Sequence, residues 1–454
     1  MITQCLFSRL TWLSLFIVVT FIICITQEFT YILNLHSYVS TTNFIENRPP
    51  IIQIIADNAQ RHSKNDKIRL KSCQNAKKKY DDWKQITDEV YAYSAFWEDR
   101  FLNDSFVRII GGANISNNTL HIKCLFTNHS DSGAYIEASS KYKVLIEHHN
   151  QQSKAIYVIC SSIQEDRPKY VTLVPLNWNN SWVNKLIWIK VQYSQRSLFP
   201  SRIGVCVRPL FNYTDSFHIA EFVAYYEALG IDRLTFYKYD ISDDIDVLIY
   251  ELQKNNYAIE LLPWSLPKDI ESMWALGQIA SINDCIFRHS GISDYVVVVD
   301  LDEFITPRHV MNLTQLLSLH DLNWKHFSSF IFRSCVFCLE YEQDLLPLVI
   351  PKFITQTRIH RQKLIYPYMV RTKYIVKPEH VIVAGVHHVW ELILGYQECF
   401  IPANQALVHH YRANLCIGKN KSLEKGVIDV MSRKYLNSLL RSKVIKIWQK
   451  LFDF

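Results

Sequence analysis

The sequence predicts an α/β fold in which a mostly parallel sheet carries flanking helices, preceded by a small β-rich domain and an N-terminal transmembrane anchor. Three observations indicate this arrangement. Strand-like and helix-like segments alternate from about residue 205, short β-branched runs fill residues 90–204, and an uncharged apolar run begins at Leu10. Alternating strands and helices are typical of a parallel sheet with helices on both faces.

Composition is that of a globular protein, with 49% hydrophobic and 20% charged residues among 454. The net charge of +6 is small for this length, and no basic repeat interleaved with aromatic residues is present. We therefore expect no nucleic-acid partner. The length is enough for two to three domains, and the oligomeric state is left open.

The N-terminal segment predicts a membrane anchor. "LTWLSLFIVVTFIICI" carries no charge, with Arg9 before it and Glu28 after it. Extension to residue 29 brings the run to the length that spans a bilayer, and the charge bias places the N-terminus in the cytosol. A cleaved signal peptide is the alternative, but "CITQEF" is a poor cleavage site. We expect a cytosolic tail at 1–9, an anchor at 10–29 and a luminal stem at 30–89.

Two further patterns favour a luminal body, which we expect to lie in the Golgi as a single-pass type II protein. Glycosylation sequons N-x-S/T begin at eight positions, Asn103, Asn114, Asn117, Asn128, Asn179, Asn212, Asn312 and Asn420. Nine cysteines follow the anchor, and an oxidising lumen lets most of them pair. Cys335 and Cys338 are interpreted as members of disulfides rather than zinc ligands, with the pairing left open.

The elements follow in a regular order. "FVRIIGGANI", "TLHIKCLF" and "AIYVIC" are among the strands expected at 90–204. The next segment, "FHIAEFVAYYEALGI", has the spacing of a helix that ends at Gly230, and "RLTFYKYD" and "AIELLPW" are strands around the helix "DDIDVLIYELQKN". A long helix over "SMWALGQIASINDCIFRHS" and the strand "YVVVVDLDEF" follow. We expect the main domain at 205–415 and a basic helical tail at 416–454.

Carboxylates stand where two of the predicted strands end. Asp240 follows the first strand, and Asp300, Asp302 and Glu303 end the most apolar one. Ligands of open α/β sheets bind at the carboxyl ends of the strands. Because alternate residues of a strand share a face, we expect Asp300 and Asp302 to point the same way and to share a hard cation. A group of solvated carboxylates that caps a helix is the alternative.

Two enzyme classes have a strand that ends in Asp-x-Asp. Haloacid-dehalogenase-like phosphatases have it on their first strand, followed closely by Thr or Val, whereas Phe304 follows here and several elements precede the strand. GT-A glycosyltransferases use the motif to hold a metal on a nucleotide-sugar diphosphate, after about a hundred residues of α/β structure. The position in this chain favours the second class over a phosphohydrolase.

Several ordered blocks resemble glycosyltransferase family 92. They are "YSAFWEDR", "AEFVAYYEALGIDRLTFYKYD", "GQIASINDCIFRHS", "VVVVDLDEFITPR", "RTKYIVKPEHVIVAGVHHVW" and "HHYR", over about residues 93–412. The resemblance implies a GT-A-type fold and an inverting, metal-dependent transferase that uses UDP-galactose and Mn²⁺ or Mg²⁺. It also implies a glycan acceptor, for instance the core fucose of an N-glycan. A catalytically inactive glycan-binding or scaffold protein on the same fold is the alternative function.

Site roles are carried over from this resemblance by position. Asp300 and Asp302 match the metal-binding motif, and His410 is the preferred third ligand with His409 second. Asp240, Asp284 and Asp300 are expected to bind the donor. His387 and His388 are expected to shape the pocket. Tyr237 is a candidate to stack on uracil, and Asp284 anchoring its own helix is left open.

Inversion requires a general base for the acceptor hydroxyl and positive charge for the leaving group. Glu391 is the first candidate for the base because it follows the histidine motif, and Glu303, Glu340 and Glu379 are alternatives. Candidate cations are Arg371, Lys373 and Lys377.

Overall fold

The computed structural model describes residues 82–101, 104–115, 119–130, 134–161, 167–179, 186–194, 203–321, 326–344, 352–416 and 426–452. The predicted cytosolic tail, anchor and nearly all of the stem lie outside these residues. Within them, no helix combines the length and apolar character needed to cross a bilayer.

The β-rich part forms one extended sheet. Its central hairpin joins a 12-residue strand to an 11-residue strand, rich in the β-branched and aromatic residues that favour strands. The order across the sheet is β5-β4-β8-β9-β2-β3-β7-β6, with β1 beside β2. The strands are β1 Lys84–Gln85, β2 Val90–Phe101, β3 Asp104–Asn114, β4 Ile122–Thr127, β5 Ile136–Ala138, β6 Ser140–Val144, β7 Ser153–Ser161, β8 Tyr170–Pro175 and β9 Ile189–Gln192.

The α/β part is built on a mixed sheet in the order β12-β11-β10-β13-β18-β15-β21. Its first four members run parallel, and β18 is antiparallel to both of its neighbours. The elements are β10 Ile203–Leu210, α1 Ser216–Ala228, β11 Arg233–Lys238, α2 Asp243–Lys254, β12 Ala258–Pro263, α3 Gln278–His289, β13 Tyr295–Val299, α4 Leu313–Asp321, β15 Phe327–Phe332, β18 Lys373–Val376 and β21 Gln397–Ile401. The predicted α/β organisation, with strands before it, is confirmed.

A second sheet and a hairpin complete the strands. The sheet has the order β14-β22-β16-β17-β23 and the hairpin pairs β19 with β20. Their bounds are β14 Glu303–Pro307, β16 Ser334–Cys338, β17 His360–Arg361, β19 Val381–Ala384, β20 Val389–Leu392, β22 Ala406–Arg412 and β23 Val427–Ile428, with a short helix α5 at Ile354–Thr357. The segment "SSFIFRSCVFCLEY" therefore supplies strands to two different sheets.

Two predicted elements are wrong in detail. The long helix begins only at Gln278, because Ala275, Leu276 and Gly277 adopt φ values of 47°, 59° and 73°. These left-handed conformations end one turn and set the direction of the next helix. The strand that begins at Tyr295, β13, ends at Val299, and the chain turns before β14 begins at Glu303. Asp300 and Asp302 are thus turn residues and do not share a strand face.

The C-terminal residues are part of the main core. Helices α6 Leu436–Arg441 and α7 Lys443–Phe452 follow the last strand. The Trp448 indole donates a hydrogen bond to Ser216 Oγ at 3.1 Å, and Ser442 Oγ donates to Glu227 Oε2 at 3.0 Å. The two C-terminal helices therefore pack against α1, while β23 pairs with β17, and neither extends from the fold. The predicted domain boundaries stay predictions.

Three disulfides link the described residues. They join Cys124 to Cys160, Cys206 to Cys285 and Cys338 to Cys416, while Cys335 and Cys399 are free and buried. Cys338 thus forms a disulfide as predicted, whereas the prediction that Cys335 also belongs to a disulfide is wrong, because its buried thiol has no sulfur partner among the described residues. Cys73 lies outside the described residues.

Candidate active site

An acidic turn, residues 300–303, connects β13 to β14. Glu303 N–H donates to the Asp300 carbonyl at 3.1 Å, and Asp300 N–H donates to Glu303 Oε2 at 2.8 Å. His218 of α1 fixes the middle of the turn, since its Nε2 donates to the Leu301 carbonyl at 3.0 Å. Buried Leu301 anchors the turn in the core. The charged side chains are thus held at the carboxyl end of β13.

A buried lysine neutralises two of these carboxylates. Lys373, at the start of β18, places Nζ 3.2 Å from Asp300 Oδ2 and 3.2 Å from Glu303 Oε2, and only 1% of its side chain is exposed. Burial opposes its charge, but the two carboxylates outweigh burial and raise the pKa of Lys373. Burial raises the pKa of Glu303, although Lys373 acts against that shift. Gln278 Nε2 donates to Asp300 Oδ1 at 3.1 Å and completes the surroundings of Asp300.

His410 reaches the same site from β22. Antiparallel pairing of β14 and β22 sets His410 opposite Glu303, so both side chains lie on one face. Its Nε2 is 3.3 Å from Asp302 Oδ2 and its Nδ1 is 3.7 Å from Glu303 Oε1. His409 points to the other face, where its ring lies 4.3 Å from the Phe337 ring. The strand register therefore selects His410 between the two predicted ligands.

Two arginines border the open edge of the site. Arg412 Nη1 donates to Asp302 Oδ2 at 3.2 Å, and Arg208 Nε lies 3.9 Å from Asp300 Oδ1. Their side chains are 46% and 40% exposed. Both guanidinium groups are therefore accessible to an anionic ligand.

The pKa shifts agree with a charged cluster. Burial alone would raise the pKa of Asp302, but His410, Arg208 and Arg412 lower it. Burial alone would lower the pKa of His410, but Asp302 and Glu303 raise it. The pKa of Asp300 is also lowered, because Lys373 and Arg208 outweigh burial.

The donor atoms of Asp302 and His410 fit a divalent cation. Asp302 Oδ1 is buried, and neither it nor either ring nitrogen of His410 has a hydrogen-bond partner among the described residues. The 3.3 Å separation between the two side chains is an electrostatic contact without the geometry of a hydrogen bond. A carboxylate oxygen beside an imidazole nitrogen suits Mn²⁺ or Mg²⁺, and the histidine favours manganese. Asp300 has protein partners at both oxygens, so it is the poorer ligand of the two predicted aspartates.

The other predicted donor contacts differ in position. Asp240 is exposed after β11, at the same sheet edge as the acidic turn. Asp284 is fully buried, where its Oδ2 accepts hydrogen bonds from Tyr237 Oη and Arg288 Nε, both at 2.6 Å. Tyr237 is equally buried. Neither Asp284 nor Tyr237 offers a surface to a nucleotide, so the structure supports the anchoring alternative for Asp284.

The predicted bases do not converge. Only Glu303 belongs to the cluster. Glu391 forms an ion pair with Lys143 of the β-rich part, Glu340 accepts a hydrogen bond from Asn414 N–H, and Glu379 is exposed. Among the described residues the acceptor base is therefore not identified by contact with the acidic turn.

The other predicted cations and His387 have partners outside the acidic turn. Of the predicted cations, Arg371 lies over the Tyr366 ring and Lys377 over the Tyr295 ring, at 5.4 and 5.8 Å, so Lys373 is the one that meets the turn. The His387 Nδ1 contacts the Thr372 carbonyl at 3.1 Å. Burial and nearby Lys373 lower the pKa of His387 to about 4.

Four predicted glycosylation sites are exposed, namely Asn114, Asn128, Asn179 and Asn212, and Asn312 is half-buried. Asn103, Asn117 and Asn420 lie outside the described residues.

Sequence reasoning missed Arg208, Arg412 and Gln278. Arg412 stands two residues after His410 in the motif "HHYR", and Arg208 is a charged residue near the end of an apolar strand. Both positions could therefore have been predicted from the sequence as site residues. Gln278 follows an irregular turn that periodicity did not reveal.

Solved structures with some likeness include GalNAc-T7 with UDP, GalNAc and Mn²⁺, at 10% identity and a TM-score of 0.26 over 50% of this chain and 46% of that chain. Another is glucosyl-3-phosphoglycerate synthase from Mycobacterium tuberculosis with Mn²⁺, UDP-glucose and phosphoglyceric acid, at 12% identity and a TM-score of 0.24 over 53% and 79% of the two chains. Alignments with TM-scores this low carry no argument about fold or activity.

Sequence comparisons are more informative. The chain is 25% identical over 229 residues to beta-1,4-galactosyltransferase galt-1 of Caenorhabditis elegans, covering 49% of this chain and 51% of that protein. It is 25% identical over 197 residues to a glycosyltransferase family 92 protein of Ricinus communis, covering 43% and 33%. The aligned part thus spans about half or less of each relative. The family model described as glycosyltransferase family 92 matches residues 201–444, more than half of the chain. This chain belongs to glycosyltransferase family 92.

Proposed function

We propose that the protein is a metal-dependent, inverting galactosyltransferase with a GT-A-type α/β domain, which transfers galactose from UDP-galactose to a glycan. One observation carries the metal and donor roles. Asp302 and His410 present unpartnered donor atoms beside Lys373, Arg208 and Arg412 at the carboxyl edge of the sheet. Family membership makes glycosyl transfer the reaction, and this cluster is the place that suits a charged nucleotide-sugar.

The donor is assigned to the edge formed by β10, β11 and β13. Asp302 and His410 would hold the ion, and Arg208 and Arg412 face the diphosphate. Asp240, exposed two residues after β11 on the same edge, would contact the nucleoside. Lys373 and Gln278 hold Asp300 in place rather than leaving it to bind freely.

Inverting transfer is a single displacement. The acceptor oxygen forms a bond to the anomeric carbon while the bond from that carbon to the UDP oxygen breaks. The acceptor proton passes to a base, and the negative charge passes to UDP. When bound, the ion would offset charge on the diphosphate, and the two arginines add hydrogen-bond donors there.

The galactosyl assignment is supported by the name of the Caenorhabditis elegans relative. Transfer to fucose on an N-glycan core is the acceptor that the family resemblance implies. Golgi residence as a type II membrane protein is supported by the uncharged N-terminal run, the sequons and the disulfides.

The function is tested by incubating the purified full-length protein with Mn²⁺, a panel of UDP-sugars and core-fucosylated N-glycans, and reading transfer as a mass increase. We expect one hexose from UDP-galactose, and loss of transfer on chelation and in Asp302→Asn. Asp243→Asn, an exposed acidic change in the first turn of α2, is the matched control. No transfer to any glycan, together with no metal-dependent binding of any UDP-sugar, would favour the scaffold alternative.

Localisation is tested separately by treating the cellular protein with an N-glycan-removing enzyme and following its gel mobility. A downward shift is expected because the exposed sequons would carry glycans in the lumen. Unchanged mobility would contradict a luminal catalytic domain without bearing on the chemistry.

A further inference from the structure

A loop of the β-rich part reaches across to the α/β part. It comprises residues 145–152, between β6 and β7, and is called the reaching loop below. Glu147 Oε2 accepts a hydrogen bond from Val386 N–H at 2.9 Å, in the turn between β19 and β20. Two residues later, the His149 ring lies 4.0 Å from the Trp274 ring. The loop therefore meets the α/β part at two points.

Both points are joined to the acidic turn by short structural links. Trp274 stands four residues before Gln278, whose Nε2 contacts Asp300 Oδ1 at 3.1 Å. On the other side, Thr372 Oγ1 donates to the His387 carbonyl at 2.5 Å, and the next residue is Lys373. The reaching loop thus lies against the two segments that position Asp300.

Two indoles on this surface remain open to solvent. Trp274 is 44% exposed and Trp390 is 38% exposed, so part of each indole is open to a ligand. Trp390 lies against the backbone at Gly385, where an added Cβ would stand 2.5 Å from its Nε1. His388 contacts the Trp390 ring edge-to-face, with ring centroids 4.3 Å apart. The indole is therefore held in place although much of it is uncovered.

The backbone on both sides of this surface adopts uncommon conformations. Glu147, His149 and Asn150 have φ values of 70°, 47° and 58°. Ala275 and Leu276 have φ values of 47° and 59°. Left-handed conformations of residues other than glycine cluster at ligand-binding segments, where the surrounding structure imposes them.

Sheet order separates the Trp390 side of this surface from the donor edge, whereas Trp274 follows β12 and meets the reaching loop through His149. Strands β10, β11 and β12 lie on one side of β13, whereas β18 lies on the other. The proposed donor contacts Arg208 and Asp240 belong to β10 and the end of β11. Lys373 begins β18, and the β19–β20 turn follows that strand. A second substrate approaching the acidic turn from the β18 side would meet the reaching loop and Trp390.

We infer that the reaching loop, Trp274 and Trp390 form the acceptor subsite, which binds a pyranose ring of the glycan. This inference rests on the proposed function. Indole faces stack on the C–H face of a sugar ring, and the Glu147 carboxylate accepts hydrogen bonds from its hydroxyl groups. The β-rich part thereby supplies acceptor recognition, and the α/β part supplies donor binding.

The electrostatics of Glu147 are consistent with this role. Burial raises the pKa of its carboxyl group, and hydrogen bonds from Val386 and Trp390 act against that shift. The charges of His149 and Lys373 also act against it. A carboxylate held by two N–H groups is oriented before the sugar arrives.

The test measures transfer kinetics of the full-length protein with UDP-galactose, Mn²⁺ and a core-fucosylated N-glycan. Trp274→Ala, Trp390→Ala and Glu147→Gln are expected to raise the KM for the glycan about 10-fold, since the loss of one aromatic contact or one hydrogen bond has an effect of roughly this size. The KM for UDP-galactose and the rate of UDP release without acceptor should stay within about two-fold. Matched controls in the β-rich part are Trp178→Ala and Glu137→Gln, and thermal melting verifies folding.

An unchanged glycan KM in all three variants, or an equal rise in the donor KM, would overturn the subsite. Failure of the wild type to transfer would instead count against the proposed function. Saturation-transfer NMR with the same glycan then tests the subsite alone. Signal in the wild type that is lost in Trp390→Ala supports the subsite, and absence of signal in the wild type overturns it.

Discussion

At the residue scale, the candidate site is a set of opposite charges at short range. Asp300, Asp302 and Glu303 are met by Lys373, Arg208 and Arg412 at distances of 3.2 to 3.9 Å. Buried carboxylates require such partners, because an uncompensated charge in the interior is costly. In the proposed function the two exposed arginines, Arg208 and Arg412, also meet the diphosphate, so stability and binding would share these side chains.

Lys373→Met should destabilise the protein strongly. The substitution removes the cation shared by Asp300 and Glu303 and leaves two carboxylates without it, at a cost of about 3–5 kcal/mol. The free energy of unfolding from urea titration measures the effect. Lys363→Met, on an exposed side chain, is the control. A loss below about 1 kcal/mol for Lys373→Met would show that the buried charges are compensated in another way.

A second charged group predicts a pH-dependent stability. Asp429 accepts two hydrogen bonds from Arg308 at 2.7 and 3.0 Å and one from Arg361 at 3.0 Å. Burial alone would raise the pKa of Asp429, but His409 and Arg308 lower it. Burial lowers the pKa of His409 to about 3, so this imidazole is neutral at pH 7. The positive charge beside Asp429 at neutral pH therefore comes from Arg308 and Arg361.

The pKa of Asp429 is lower in the folded protein than in the unfolded chain, where it is about 3.9. The charged carboxylate therefore adds to the free energy of unfolding above about pH 3.9, and this stabilisation is lost as the pH falls toward the pKa of the folded state. Asp429→Asn should therefore reduce the free energy of unfolding at pH 7 by about 3 kcal/mol. The gap between variant and wild type should narrow below about pH 4. Denaturant titrations at pH 7, 5 and 3 measure it, and a gap that stays constant to pH 3 would contradict the assignment.

At the element scale, strand register distinguishes two neighbouring residues of the same type. His409 and His410 are both histidines, and only the pairing of Glu303 with His410 shows which of the two rings reaches the acidic turn. The C-terminal helices likewise belong to the core because they contact residues of α1. Trp448 is 6% exposed and packs against Phe217, with ring centroids 4.7 Å apart.

Trp448→Ala should cost about 3–5 kcal/mol in the free energy of unfolding, since it leaves a cavity beneath α1 and removes the bond to Ser216. Urea titration gives the value. Leu440→Ala, on a side chain that is 40% exposed in the preceding helix, is expected to change it by less than about 1 kcal/mol. Equal effects of the two substitutions would mean that α7 is a peripheral tail.

Some features of the site could be predicted from the sequence, and others depend on contacts between distant parts of the chain. Strand-end placement drew attention to Asp300 and Asp302, because an apolar run followed by charges is visible locally, and their ligand roles stay predictions. Lys373 appeared only among several cations, since its contact with Asp300 depends on β18 pairing with β13 about 75 residues away. The helix before Gln278 was predicted too long because three left-handed residues leave no trace in hydrophobic periodicity.

At the scale of the whole molecule, the β-rich and α/β parts share a continuous apolar core. Tyr93 and Tyr157 of the first pack among Trp264 and Ile286 of the second. The two parts are therefore fixed against each other, so a loop from one can serve a site in the other. This continuity is the structural basis for separating donor and acceptor recognition between them.

In the proposed function, Asp302 and His410 hold the metal that binds the donor. Isothermal titration of UDP-galactose into the full-length protein, with Mn²⁺ or with EDTA, tests it without any acceptor. Binding is expected with Mn²⁺, and is expected to weaken about 10- to 100-fold with EDTA, in Asp302→Asn and in His410→Ala, as for loss of a metal ligand or its support. Equal affinity in EDTA and in both variants would contradict this role and assign the diphosphate to Arg208 and Arg412 alone.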